Sequence, residues 1–235
     1  MPESQQIKNM FTQVASGYDR ANDILSLGIH RLWRKEVVRL SGAKKGDRIL
    51  DCATGTGDLA IEFKKAVGHQ GEVIGTDFCE AMIAPAPDKA KKANLNIRFQ
   101  IEDVMNLSLP SSQFDICSIS FGIRNVENPK QALKEMARVT KPGGKVIVLE
   151  FGEMKAPLIG PLYQFYSENI LPKIGGLITG QTNAYEYLQK SSAQFPSREK
   201  FLDLMDSTEC FSHSTYKTLS LGIAYIYIGT VASKS

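Results

Sequence analysis

Two glycines and three carboxylates stand close to the ends of two short apolar segments. Gly55 and Gly57 come just after the first segment, with Asp51 before them and Asp58 directly after them. Asp77 closes the next apolar segment. Glycines in such a turn let a ligand approach the backbone closely. The spacing predicts a strand, a tight loop and a helix that together bind a small molecule.

The charges beside this loop distinguish between two kinds of ligand. Residues 55–60 also fit the dinucleotide pattern G-x-G-x-x-G/A, which places a pyrophosphate at the N-terminus of the helix. A carboxylate at Asp58 would repel that pyrophosphate, and Asp51 adds a second negative charge. This favours a cationic ligand without phosphate, such as S-adenosylmethionine, with Asp77 accepting hydrogen bonds from its ribose hydroxyls. The alternative roles of Asp51 and Asp58 are those of a turn residue and a helix N-cap.

Short apolar runs alternate with helical stretches after residue 46. Apolar strands separated by helices are typical of a parallel sheet covered on both faces, so we predict a doubly wound α/β fold. We expect strands at residues 48–53, 72–77, 97–101, 114–121, 145–151 and near 222–231, and helices at 6–14, 31–40, 58–67, 130–140 and 198–207, with another that reaches residue 94.

Two further polar positions follow later strands. Asp103 comes after the third strand, where its carboxylate can reach an adenine amino group beside the backbone of Val104. Its alternative role is that of a turn cap. Ser120 lies near the end of the fourth strand and faces the crevice where open α/β sheets bind ligands.

Composition restricts the remaining classes of protein. The 235 residues are 43% hydrophobic and 23% charged, which excludes a disordered chain, a collagen-like fibre and a coiled coil. The formal charge of +3 comes with no basic stretch interleaved with aromatic residues, so we expect no nucleic-acid partner. The four cysteines and three histidines lack metal-ligand spacing, and scattered cysteines favour a reducing compartment. We therefore expect no metal, no signal peptide and a cytoplasmic location.

Residues 156–188 form a segment of unusually low charge. Only three charged side chains occur there, together with three prolines and many apolar and aromatic residues. One interpretation is a helical insertion that buries its own small core. The other is a lid that shields or binds an apolar substrate.

Several longer motifs occur in order along the chain. They read Tyr-Asp-x-x-Asn-Asp at 18–23, Gly-Ile-His-Arg-Leu-Trp at 28–33, Phe-Gly-Ile-Arg-Asn-Val at 121–126, Arg-Val-x-Lys-Pro-Gly-Gly at 138–144, Leu-Pro-x-x-Gly at 171–175 and Tyr-x-Tyr-Leu at 185–188. With these motifs the chain resembles the class I methyltransferases, and among them the C-methyltransferases of menaquinone and ubiquinone biosynthesis. The resemblance covers residues 8–230.

The resemblance implies a fold, a cofactor and a reaction. The fold is a seven-stranded, Rossmann-like class I methyltransferase sheet, and the reaction moves a methyl group from S-adenosylmethionine to a ring carbon of a polyprenylated quinol. Demethylmenaquinol is the first expected substrate, and the benzoquinol of ubiquinone synthesis is the second. Together, the loop pattern and the resemblance place cofactor contacts at Asp51, Gly55, Thr56, Gly57, Asp77, Phe78, Asp103, Val104 and Ser120.

Four side chains are candidates for the chemistry on the quinol. Arg124 carries a permanent charge that can stabilise a phenolate or hold a water, and its alternative role is an ion pair with Glu127 or Glu150. Asn125 can hold a quinol oxygen by a hydrogen bond. Tyr18 and His30 belong to an N-terminal segment expected to fold over the site. His30, which ordinarily titrates near neutrality, is the candidate base, or else a surface or capping histidine.

The expected organisation is one methyltransferase domain. It comprises an N-terminal helical cap (1–45), a cofactor-binding core (46–151), an apolar lid insertion (152–195) and a C-terminal helix with strands (196–235). We expect peripheral contact with a membrane surface, and a homodimer is the expected assembly. The alternatives are a methyltransferase for another apolar small molecule or RNA, an oxidoreductase that uses a dinucleotide, and a non-catalytic protein that binds S-adenosylmethionine.

Two departures from the family pattern carry structural predictions. Pro85 and Pro87 follow Met82 where the family continues a helix, so that helix is expected to start late or to kink. Tyr227 stands where a histidine is typical, and it affects either substrate contacts or local packing.

Overall fold

A seven-stranded sheet forms the centre of the protein. The computed structural model describes residues 3–152, 154, 160 and 165–233. Strands β1 to β5 are parallel, and β7 runs antiparallel between β5 and β6, in the order β3-β2-β1-β4-β5-β7-β6. The strands are β1 (Arg48–Cys52), β2 (Glu72–Asp77), β3 (Arg98–Ile101), β4 (Phe114–Ser120), β5 (Thr140–Phe151), β6 (Phe211–Leu219) and β7 (Ala224–Val231). The predicted doubly wound, seven-stranded fold is confirmed.

Successive residues of the central strands pack into two different apolar cores. Ile49 contributes to a core with Trp33 and Phe63, whereas its neighbour Leu50 contributes to a core with Leu133. Side chains alternate between the faces of a strand, so a strand covered on both faces must be apolar throughout. This requirement explains why the parallel strands appear in the sequence as continuous apolar runs.

Helices cover both faces of the sheet. They are α1 (Ser4–Val14), α2 (Tyr18–Leu25), α3 (Ile29–Ser41), α4 (Asp58–Val67), α5 (Glu80–Ile83), α6 (Ala86–Lys92), α7 (Pro129–Val139), α8 (Leu171–Thr179), α9 (Thr182–Gln194) and α10 (Glu199–Asp206). A π-helical turn, Tyr166–Ile170, leads directly into α8. Among the described residues, no helix is both long enough and apolar enough to cross a bilayer.

The structure tests several sequence predictions about single elements. The predicted break at the two prolines is confirmed, because α5 ends at Ile83 and α6 begins at Ala86 with Pro85 as its N-cap. Helix α2 and strand β6 were not among the predicted elements. Part of the expected lid, at residues 153, 155–159 and 161–164, lies outside the described residues.

Strand order determines where a ligand can bind. The chain winds outward from β1 through β2 to β3 and then returns to β4 on the other side of β1. Such a reversal leaves a crevice at the carboxyl ends of the two adjacent strands, and ligands of open α/β sheets bind there. In this protein the crevice is bounded by the loops that follow β1, β2 and β4.

Candidate active site

The loop between β1 and α4 has a backbone shape that requires glycine. Gly55 has φ +54° and Gly57 has φ +85°, both in the left-handed region. A Cβ atom on Gly57 would also lie 3.0 Å from Cβ of Ala86 and 3.1 Å from the ring of Phe99. The second glycine therefore serves close packing as well as the turn.

Asp77 holds this loop from the end of β2. Its carboxylate accepts hydrogen bonds from the backbone N–H of Gly55 at 2.8 Å and of Cys79 at 2.9 Å. Burial raises the pKa of the Asp77 carboxyl, and the backbone hydrogen bonds oppose that rise. A carboxylate has about four lone-pair positions, so both oxygens keep acceptor capacity for ribose hydroxyls.

Asp51 is buried beneath the loop and binds two neighbouring side chains by hydrogen bonds. It accepts hydrogen bonds from the hydroxyls of Thr54 at 2.6 Å and Ser118 at 2.7 Å. Burial raises the pKa of the Asp51 carboxyl to about 6. Asp51 therefore supports the loop from within the sheet, as its alternative role of turn residue predicts.

Asp58 and Thr56 belong to a network of charges beside the loop. Lys89 on α6 donates to Asp58 at 2.5 Å, to Asp19 on α2 at 2.7 Å and to the hydroxyl of Thr56 at 2.9 Å. That hydroxyl donates to Asp19 at 2.6 Å, and Arg34 on α3 pairs with Asp58 at 2.8 Å. We call these five side chains the cap network, because they join the N-terminal helices to the loop. Two cations pair with Asp58, and its role in attracting a cationic ligand stays a prediction.

A cleft with a volume of about 110 Å³ opens at the carboxyl ends of β1, β2 and β4. Open α/β sheets bind their ligands at this position. Of the expected cofactor contacts, Asp51, Thr56 and Gly57 are not among its lining residues. Those that do line it are Gly55, Asp77, Phe78, Asp103, Val104 and Ser120.

Two side chains in the cleft show how it can hold a polar ligand. The hydroxyl of Ser120 is buried and has no hydrogen-bond partner within the described structure. Asp103 accepts a hydrogen bond from the backbone N–H of Met105 at 2.8 Å, so it caps a turn while it also lines the cleft. Buried polar atoms need partners, so the Ser120 hydroxyl fits a ligand with hydrogen-bonding groups. Together with Asp77, these residues suit the adenosyl part of S-adenosylmethionine.

A second, larger cavity adjoins the cleft. It has a volume of about 620 Å³, and its lining comes from α1, α2, α3, α8 and α9 together with residues near the ends of β4 and β5. Its wall is mainly apolar, with residues such as Leu25, Leu171 and Ile174. Three aromatic residues line both spaces: Phe11, Tyr18 and Phe121. Tyr18 therefore lies at the boundary between the cleft and the cavity, as expected of a side chain from the cap.

Arg124 and Asn125 lie next to that boundary. Arg124 forms a buried ion pair with Glu150 at 2.7 Å and also donates to the carbonyl of Phe121. The ion pair confirms one of the alternative roles predicted for Arg124. Asn125 lines the cleft and accepts a hydrogen bond at 3.1 Å from the hydroxyl of Tyr187, which lines the cavity.

His30 is buried in the wall of the cavity. Its Nδ1 lies 2.5 Å from the hydroxyl of Ser26, and its Nε2 lies 3.4 Å from Asp23. Burial and the nearby charge of Arg34 lower the pKa of His30 to about 4. The expectation that His30 titrates near neutrality is therefore wrong, because the fold removes this ring from water.

The structure shows the role of Tyr227, which stands where the family typically has a histidine. It is 1% exposed, packs against Phe201 and accepts a hydrogen bond from the backbone N–H of Arg198 at 2.8 Å. It is not among the residues that line the cleft or the cavity. Its role is local packing where the C-terminal helix begins.

Solved structures with a similar fold are methyltransferases. An S-adenosylmethionine-dependent methyltransferase from Methanococcus maripaludis superposes with a TM-score of 0.68 and 18% identity, covering 95% of this chain and 94% of that one. Another, from Thermotoga maritima, gives a TM-score of 0.66 and 21% identity over 94% and 98% of the two chains. The chain therefore has the fold of the class I methyltransferases.

Sequence comparisons define the family. Residues 1–231 match the model of the ubiE/COQ5 methyltransferase family. The chain is 64% identical to the ubiquinone/menaquinone biosynthesis C-methyltransferase UbiE of Bdellovibrio bacteriovorus, over 98% of this chain and 97% of that protein. It is 40% identical to the UbiE of Hydrogenovibrio crunogenus, over 96% and 89%. The chain belongs to the ubiE/COQ5 methyltransferase family and is an S-adenosylmethionine-dependent C-methyltransferase, which confirms the predicted resemblance.

Proposed function

We propose that this enzyme methylates a ring carbon of a polyprenylated quinol. Demethylmenaquinol is the first candidate, and the benzoquinol of ubiquinone synthesis is the second, since the names of the relatives refer to both pathways. The observation that carries the proposal is the mainly apolar cavity of about 620 Å³, which shares part of its wall with the cofactor cleft. Its volume is in the range of about 300–1,000 Å³ that is usual for small-molecule sites, and its apolar wall suits a prenyl chain.

The boundary between the two spaces suits the quinol ring. Phe11, Tyr18 and Phe121 contribute to the walls of both. Flat apolar rings pack well against aromatic side chains. A ring held there would turn one face towards the cleft, while its tail extended along the apolar wall near Leu171 and Ile174. Positioning of this kind is the main contribution that a protein can make to methyl transfer.

The chemistry needs few protein groups. S-adenosylmethionine supplies an electrophilic methyl group when it is bound. Loss of a phenolic proton raises the electron density of the neighbouring ring carbon, and this carbon then attacks the methyl group in line. Arg124 would stabilise the phenolate, with Glu150 fixing its guanidinium, and Asn125 would hold a ring oxygen. Tyr18 would complete the polar surroundings of the ring.

The substrate assay tests the proposal directly. Labelled S-adenosylmethionine is supplied with reduced, prenylated demethylnaphthoquinol and, separately, with the benzoquinol counterpart, and the products are identified by mass spectrometry. Methyl transfer to either quinol supports the proposal and identifies the pathway. Absence of transfer to both, by a protein that binds the cofactor, would point instead to another apolar substrate.

The role of Arg124 has its own test. Arg124→Ala is expected to keep cofactor affinity and to lose most turnover, because the phenolate loses its nearby cation. Cofactor binding is measured by calorimetry and turnover by the labelled assay. The matched control is Arg39→Ala, an exposed arginine on α3 that pairs with Glu36. Unchanged turnover in the Arg124 variant would contradict the role proposed for this residue.

We also propose that the enzyme takes its substrate from a membrane surface. Three exposed leucines lie on segments that surround the cavity: Leu27, between α2 and α3, is 92% exposed, Leu177 on α8 is 88% exposed and Leu32 on α3 is 62% exposed. Leu27 also lines the cavity itself. Exposed apolar side chains around an apolar opening are typical of a surface that contacts lipid.

Liposome flotation tests this contact. Replacing Leu27 and Leu177 by Asn is expected to reduce binding to liposomes and to raise KM for long-tailed quinols more than for short-tailed ones. Ile101→Asn provides the control, because Ile101 is 52% exposed on β3, which is not part of the cavity wall. Equal binding by all variants would contradict the membrane proposal.

A further inference from the structure

A line of polar side chains runs along part of the mainly apolar cavity. Tyr18 and Asn22 lie one turn apart on α2, Ser26 is the residue at which this helix ends, and His30 lies in the first turn of α3. All four line the cavity. Tyr18 stands at the boundary with the cofactor cleft, so the line leads away from the place where the ring would react.

Methylation of a quinol creates a demand that an apolar cavity does not meet. One C–C bond forms between the ring carbon and the methyl group, and the broken S–C bond leaves its electron pair on sulfur. The positive charge of the sulfonium disappears, and the ring carbon loses its hydrogen as a proton. One proton is therefore released for each methyl group transferred. Charged species are costly in an apolar space, so this proton needs a path to solvent.

The geometry of Ser26, His30 and Asp23 provides such a path. The Ser26 hydroxyl donates to the carbonyl oxygen of Asn22 at 2.6 Å, and its oxygen lies 2.5 Å from Nδ1 of His30, so a rotation about the C–O bond can aim its proton at Nδ1 instead. Nε2 of His30 lies 3.4 Å from Asp23, on the far side of the ring. The side chain of His30 is 8% exposed, whereas that of Asp23 is 39% exposed. Asp23 does not line the cavity.

We propose that Ser26, His30 and Asp23 form an exit through which the proton released by methylation passes from the cavity to solvent. The proposal rests on the quinol function proposed above. The Ser26 hydroxyl takes up the released proton as it gives its own proton to Nδ1 of His30. The ring then gives its Nε2 proton to Asp23, which passes it to water, and the ring regains its starting tautomer by proton exchange with solvent.

The charges around His30 favour a ring that passes a proton on over a ring that keeps the proton it accepts. Asp23 faces it from α2, Arg31 and Arg34 face it from α3, and Asp58 faces it from α4. Burial and Arg34 hold the pKa of His30 at about 4, so the ring is neutral at neutral pH and a captured proton leaves readily. Arg31 donates a hydrogen bond to Asp23 at 2.9 Å and so holds its carboxylate beside the ring.

The experiment compares three variants with the wild type in the labelled transfer assay. His30→Gln and His30→Ala remove the ring that relays the proton. Asp23→Asn removes the charge of the more exposed acceptor. His213→Gln is the matched control, because His213 is exposed on the edge strand β6. For each protein we measure kcat, the KM for S-adenosylmethionine, the solvent isotope effect and rescue by added imidazole. Nitrogen NMR reports the protonation of His30 independently of turnover.

The expected result is a fall in kcat of about tenfold or more in both His30 variants, with an unchanged KM for S-adenosylmethionine and a larger solvent isotope effect. Imidazole should restore turnover to His30→Ala, because it can take the place of the missing ring. Asp23→Asn should show a smaller fall in kcat than either His30 variant. NMR should show a neutral ring in the wild type from pH 6 to pH 9.

Several outcomes would contradict the proposal of a proton exit. They are a kcat for His30→Gln equal to that of His213→Gln, a loss in His30→Ala that imidazole does not restore, or an unchanged kcat in Asp23→Asn. A merely structural role for His30 would give the second outcome. Absence of turnover by the wild type on both quinols would overturn the substrate proposal and the exit together, whereas wild-type turnover with unaffected variants would overturn the exit alone.

Discussion

The cofactor cleft and the apolar cavity share a boundary, but different parts of the chain build them. The cleft lies at strand ends, and residues such as Gly55, Asp77 and Ser120 line it directly after β1, at the end of β2 and at the end of β4. The cavity depends on helices that come before and after the core of the sheet, where residues such as Leu25 and Ile174 meet. A cleft built on a sheet can change little without loss of the fold, whereas a cavity between helices can vary with the substrate.

The two spaces also use polar groups differently. In the cleft, the polar groups of the sheet and of the loop hold each other, as Asp77 does with the backbone of Gly55. The wall of the cavity is mainly apolar, and the polar side chains in it include Asn22 and His30 near the junction of α2 and α3 and Arg124 after β4. The cleft therefore suits a ligand with many hydrogen-bonding groups, whereas the cavity suits one that fits by shape and apolar contact.

The largest expected effect is the loss of cofactor binding when Asp77 is changed. Asp77→Asn removes one charge that accepts two backbone hydrogen bonds and, in our proposal, two ribose hydroxyls. Hydrogen bonds to charged groups contribute about 1.5–3 kcal/mol each, so affinity for S-adenosylmethionine should fall about a hundredfold or more. Calorimetry measures the affinity, and Asp206→Asn on the exposed end of α10 is the control. An affinity within tenfold of the wild type would show that the cleft does not depend on this carboxylate.

Next in size is the effect of breaking the ion pair at the boundary between the two spaces. Glu150→Gln leaves the buried Arg124 without its partner, and loss of one member of a buried pair costs about 3–5 kcal/mol. The free energy of unfolding in urea measures the cost. Glu72→Gln is the control, because its pair with Arg48 is about 40% exposed and should contribute less than about 1 kcal/mol. Equal losses of unfolding free energy in the two variants would mean that burial does not increase the contribution of the Arg124–Glu150 pair to stability.

A third prediction compares one titrating group beneath the cleft with one in the cavity wall. Burial holds the pKa of His30 at about 4, below its usual 6.5, so the unfolded chain binds more protons between these values. This group therefore makes the free energy of unfolding rise as pH increases from 4 to 6.5. Asp51 has the opposite sign: its pKa is raised to about 6, so its contribution to stability is lost as pH rises from about 4 to 6.

Urea unfolding between pH 4 and pH 7, without cofactor, measures both contributions. His30→Gln should flatten the rise in stability with pH, by about 1–3 kcal/mol over the whole range. Asp51→Asn should make the rise steeper. A change of the same sign in both variants would contradict the opposite environments that the structure assigns to these two groups.

The same contrast explains how much of the molecule could be predicted from the sequence. Apolar strands buried on both faces leave a clear pattern, and polar residues at their carboxyl ends must meet at one edge, as Asp77, Asp103 and Ser120 do. The edge strand β6 lacks this pattern, because five of its seven polar side chains are exposed to solvent. Helix α2 is only eight residues long and more polar than apolar, so it offers few apolar positions from which to predict a helix.

The side chains that sequence analysis missed act through distant partners. Lys89 joins Asp19 to Asp58, and Tyr187 meets Asn125, but no local spacing indicates either contact. The pKa of His30 was misjudged for the same reason, since the helices that bury it come together only in the fold. A motif that contains Asp19 or His30 shows that a residue is important to the family, but its charge state depends on neighbours that only tertiary structure supplies.

The smallest expected effect tests whether the cap network couples the two spaces. Asp19→Asn removes the only carboxylate of α2 that binds Thr56 and Lys89, and half-exposed pairs of this kind contribute about 0.2–1 kcal/mol. The cap should then cover the cleft less firmly, so S-adenosylmethionine should dissociate about twofold to fivefold faster, and the difference should shrink at high salt. Stopped-flow release measures the rate, with Asp88→Asn as the control, an exposed carboxylate next to Lys89. Equal rates in the two variants would mean that the cap and the cleft act independently, and that the cavity helices do not retain the cofactor.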